Sequence, residues 1–160
     1  MRSGLLSFVC ALLLSAPAGA QVCKQTPPPS LPSLFPESLE GLARAFTLAP
    51  GGGCMAFYKK AGAEATAMWA ALSVDANPSL PLGESAETLA SSYRSGGKKV
   101  VLVDEWPVAV NYLPKGDEFI TLRGSVRITV LVKNGDQGAG SEALAAAFLR
   151  AVFPGVPCGT

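Results

Sequence analysis

The sequence predicts an α+β fold: a single domain with a mostly antiparallel sheet of about five to six strands, packed with two to three amphipathic helices. Three observations carry this. Strand-like segments in the second half follow one another through hairpin-length links, which suit antiparallel pairing. Val126, Ile128, Val130 and Val132 alternate with Arg127, Thr129 and Lys133, the pattern of a strand buried on one face. Residues 37–48, 84–94 and 141–152 carry apolar residues at helical spacing, and such stripes need a sheet to bury against.

The chain opens with Arg2, an apolar run over residues 5–14, and small residues ending in Ala18-Gly19-Ala20. The run is too short to span a bilayer, and the small residues make a cleavage site, so residues 1–20 read as a secretory signal. This places the protein outside the cytoplasm, in a periplasmic or extracellular compartment. Residues 21–36 hold five prolines and read as an extended lead-in.

The domain proper is expected over residues 37–153, with a short tail at 154–160. Residues 37–48 follow Pro36, and Leu39, Leu42 and Phe46 share one helical face, which predicts a first helix. Residues 54–60 and 64–74 read as a hairpin around Ala61-Gly62. A helix follows over 84–94, with Ala86, Leu89, Ala90 and Tyr93 on one face and Arg94 in its last turn. Four strands are expected at 100–103, 107–113, 118–123 and 125–133, with Gly124 marking a bend or bulge. The last helix is expected over 141–152 with Ser141 as its N-cap.

Composition excludes several chemistries. The 160 residues contain no histidine. Ser-His-Asp and Cys-His catalysis are therefore excluded, as are imidazole-based zinc sites. Loss of Arg2 with the signal leaves 12 basic residues against 12 acidic ones. Such a balance argues against nucleic acid as a partner. No run beyond the signal approaches the length of a membrane span.

Three cysteines remain after signal removal: Cys23, Cys54 and Cys158. An odd count in an exported chain leaves one free or paired to another molecule. Cys23 and Cys158 lie in the two tails and are the favoured disulfide, with Cys54 as the free thiol. There is no C-x-x-C pair to support redox catalysis. Gly51-Gly52-Gly53 lacks the context of a phosphate-binding loop, and Asp136 with Glu142 is too few carboxylates for calcium. No catalytic residue, cofactor or metal ligand is assigned.

The leading expectation is a small non-enzymatic domain that binds a protein or a cell-envelope component. Two alternatives stand beside it. One is a glycan hydrolase using carboxylates such as those of Asp104-Glu105 and Asp117-Glu118, near Trp106. The other is a carrier of a small apolar ligand held between sheet and helices. Trp106 beside Tyr112 would mark a binding surface if exposed; burial in the core is the commoner fate.

Overall fold

A computed structural model describes residues 31–49, 53–60, 68–76, 85–133 and 139–156. The signal segment, Cys23, Cys158, Gly51, Gly52 and Asp136 lie outside the described residues. The strands are β1 (Ser38–Leu39), β2 (Leu42–Leu48), β3 (Gly53–Lys60), β4 (Met68–Ala76), β5 (Lys99–Val103), β6 (Trp106–Leu113), β7 (Gly116–Arg123) and β8 (Val126–Lys133). The helices are α1 (Ala86–Ser95) and α2 (Ala139–Val152). All eight strands form one antiparallel sheet in the order β1-β2-β3-β4-β8-β7-β6-β5. Two four-strand meanders thus meet in the middle through β4 and β8.

This corrects the expected count of five to six strands and two to three helices. The difference lies chiefly in residues 37–48, which form β1 and β2 and not a helix. Glu40 and Gly41 both have positive φ, 49° and 76°, the signature of a type I′ hairpin turn. A helix cannot pass through two such residues. The strand alternation in β2 is broken by a bulge at Ala45, between the pairs Arg44↔Tyr58 and Phe46↔Phe57. The bulge moves Leu42 and Phe46 to opposite faces, so Phe46 leaves the side that Leu39 and Leu42 share.

The other turns follow from local chemistry. Asp104 and Glu105 link β5 to β6, again with both φ positive. Gly124, with φ 59°, opens the two-residue turn between β7 and β8; it is neither bulge nor bend within a strand. In α1, Ser85 is the N-cap and its hydroxyl accepts from the Thr88 N–H at 3.1 Å. Helix α2 starts at Ala139, so Ser141 sits inside the first turn, not at the cap. Asp117, buried on β7, accepts a hydrogen bond from the Ser141 hydroxyl at 2.5 Å and places a carboxylate by this helix start.

The core lies on one face of the sheet. Tyr58, Leu72, Val108, Phe119, Ile128 and Val130 are fully buried there with Phe148 and Leu149 of α2. The Tyr58 and Phe148 rings meet edge to face at 4.6 Å. The sheet wraps α2 from both sides: β5 reaches it through Lys99 and Glu142, and β2 borders it across a groove. Residues 31–36 also join the fold. Leu34 and Phe35 are buried, the Arg44 side chain donates to the Phe35 carbonyl, and the Tyr58 hydroxyl donates to the Pro36 carbonyl at 2.9 Å.

Candidate binding surfaces

The face of the sheet turned away from α2 carries an apolar band. Cross-strand pairing sets Phe46, Phe57, Ala71 and Leu131 in one row, continued by Glu118 and Asn111. The Phe46 and Phe57 rings stack at 4.6 Å. Phe46 and Leu131 are each 42 % exposed, and Leu48 is 52 % exposed in the next row beside Met55. A hollow of about 290 Å3 opens over Ala71, walled by Phe57, Leu131 and Trp69 and closed at one end by Lys115 and Lys133. Exposed aromatic and aliphatic groups in contact with one another, at the rim of basic residues, are what a binding surface needs.

A second depression runs beside α2. It holds about 420 Å3 between the helix and the ends of β2, β3, β4 and β8. Leu42, Trp69, Val132, Ala143, Leu144 and Ala147 give it an apolar floor. Lys60, Lys133 and Arg150 stand at its borders with Glu40. The Lys60 ammonium lies 3.7 Å from the centre of the Trp69 ring. Arg150 is engaged with Asp104 at 3.0 Å. Trp69 sits at a bulge of β4 and borders both depressions.

Charge is distributed unevenly along the strands. Every lysine among the described residues falls at the same end of the sheet: Lys59 and Lys60 at the end of β3, Lys133 at the end of β8, Lys115 in the β6–β7 turn, and Lys98 and Lys99 at the entry to β5. A chain with balanced overall charge therefore has a locally basic end.

At that end Lys99 is 2.6 Å from Glu142 and 2.7 Å from the Tyr112 hydroxyl, which itself donates to Glu142 at 2.6 Å. The hydrogen bond from Lys99 holds the Glu142 carboxyl below its ordinary range, and that from Tyr112 adds to it. The same Glu142 contact, then that of Tyr112, holds Lys99 protonated well above its usual value. A lysine so held is no base or nucleophile at neutral pH, and the cluster works as a tie between β5, β6 and α2.

The residues singled out in the sequence are dispersed. Cys54 is a buried free thiol on β3, paired across the strand with Val74. Trp106 is buried, its Nε1 donating to the Leu122 carbonyl at 2.9 Å, whereas Tyr112 is half exposed in the cluster above. Asp104 binds Arg150 in a turn. Asp117 faces the core, while Glu118 on the opposite face accepts from Asn111 at 2.8 Å. Among the described residues no three acidic or sulfur side chains gather into a metal-binding group.

Phe46, Phe57, Leu131, Lys60 and Lys133 belong to no site motif in the sequence. One signal was present: Leu131 occupies the register of β8 otherwise held by Arg127, Thr129 and Lys133, an apolar residue on a polar face. A scan against protein-family models finds no match, and neither does a search of curated proteins or of solved structures. No helix among the described residues is long and apolar enough to cross a membrane.

Proposed function

We propose that this chain is an exported, non-enzymatic domain that binds a protein or another cell-envelope component on the open face of its sheet. The carrying observation is the row Phe46–Phe57–Ala71–Leu131, in which apolar residues from four strands line up on one face, Phe46 stacked on Phe57 and both Phe46 and Leu131 exposed. Evenly scattered apolar residues would need no explanation; a contiguous band does. Export rests on the signal-like residues 1–20 and is tested by the mass of the purified protein, expected to begin at Gln21. The same non-reduced sample tests a Cys23–Cys158 disulfide beside a free Cys54.

The binding reading is tested by placing a photo-crosslinking amino acid at position 46, 57 or 131 in the producing cells, with position 94 as the control. One shared adduct at the first three positions, absent at position 94 and lost when Leu131→Asp is combined with the probe at position 46, is the expected result. Adducts at position 94 as abundant as those on the sheet face, or none at any of the three, would refute it.

A further inference from the structure

We infer that the groove beside α2 is a binding site for a small amphipathic monoanion, a medium-chain carboxylate. This site is separate from the open face, although Trp69 and Lys133 border both. Its size points to a small molecule. About 420 Å3 lies within the roughly 300–1,000 Å3 of ligand pockets, whereas a protein partner covers about 800 Å2 per side. Its shape points to a chain. The groove follows α2 from Gly140 to Arg150, ten residues of helix and so about 15 Å.

Its chemistry is asymmetric. Leu42, Val132, Leu144 and Ala147 provide an apolar track without a hydrogen-bonding side chain, suited to alkyl carbon. Lys60 and Lys133 stand at the end of the sheet where the lysines gather. Arg150 is already matched by Asp104. Lys60 and Lys133 face one exposed acid, Glu40, while the buried Asp117 is capped by the Ser141 hydroxyl, so a singly charged carboxylate suits this end better than a doubly charged phosphate. The head group is placed by Lys60 and Lys133, beside the Trp69 ring, and the alkyl chain runs along α2 toward Arg150.

The test is titration of the full mature protein with decanoate below its micellar concentration, followed by tryptophan emission and by calorimetry. Trp106 is buried in the core, so the emission change should come from Trp69 and vanish in Trp69→Phe. Saturable one-to-one binding is expected. 1-Decanol, which keeps the chain but not the charge, should bind at least about tenfold more weakly, as should the Lys60→Gln variant facing decanoate. Ala147→Phe fills the groove from the partly exposed side of α2 and should abolish binding with the far-ultraviolet spectrum unchanged. Phe57→Ser, on the open face, should leave it unaltered. The inference is overturned if decanoate produces no saturable signal, if decanol binds equally well, or if Phe57→Ser and not the groove variants removes binding.

Discussion

Replacing Gly41 with alanine separates a hairpin from a helix by the sign of its effect. Gly41 has a φ of 76°, and a Cβ added there would meet nothing within 4 Å. The cost therefore comes from backbone conformation alone. An L-residue in the left-handed region loses about 1–2 kcal/mol, partly offset by the stiffer unfolded chain, which leaves a destabilisation of about 1 kcal/mol. Were residues 37–48 a helix, the same change would stabilise by about 0.5–1 kcal/mol, since alanine replaces glycine in a helix interior. The two architectures thus differ by about 2 kcal/mol, with opposite signs. Urea unfolding followed by circular dichroism measures this. With a slope of about 2 kcal/mol per molar urea, the hairpin predicts a midpoint lower by about 0.5 M. A midpoint that rises in Gly41→Ala would refute the β1–β2 hairpin and return that segment to a helix.

Phe148→Ala removes a ring that is fully buried against Tyr58, and unfolding free energy should fall by about 3–5 kcal/mol, read from the same urea curves. Burial pushes the Tyr58 hydroxyl up to about 12, with the Arg44 charge opposing. The unfolded chain then ionises this tyrosine first, so its contribution is complete below pH 10 and is lost as pH rises from 10 toward 12. Absorbance titration should show one tyrosine ionising late, and Tyr58→Phe should lessen the alkaline loss of stability. The Lys99–Glu142 tie behaves in the opposite sense. Glu142 is held low, so its support is present above the ordinary carboxylate range and fades as pH falls through its lowered value. A double-mutant cycle with Lys99→Met and Glu142→Gln should give a favourable coupling at pH 7 that disappears in strong acid.

The parts legible in the sequence are those where one strand or helix carries its own complete pattern. β8 keeps Val126, Ile128, Val130 and Val132 on one face, and α1 has its cap, its apolar face and its terminal charges within a dozen residues. β2 was unreadable because the bulge at Ala45 splits a short strand into two phases, each too brief to show a period of two. The candidate surfaces were hidden for another reason. Leu131 joins the Phe46–Phe57 row only because β8 pairs with β4, a pairing that no local pattern announces. Residue chemistry flagged Trp106, yet an indole N–H that can reach a strand carbonyl is as content in a core as at a surface. Of the two tryptophans, Trp69 is the one that borders both depressions.

The seam between β4 and β8 also sets a timetable. About fifty residues of chain separate Ala76 from its partner Val126, so the first meander is finished long before its neighbour exists. Until β8 arrives, β4 presents a naked edge with Ala70, Leu72 and Val74 beside it, an open template for any passing strand. Closing so distant a pair is slow, because the entropy of the loop is lost before the contacts form. During that interval the β8 of a second chain offers the same register. Crowded nascent molecules therefore have a route to dimers that trade C-terminal halves, and a factor that shields the β4 edge would govern the yield of monomer.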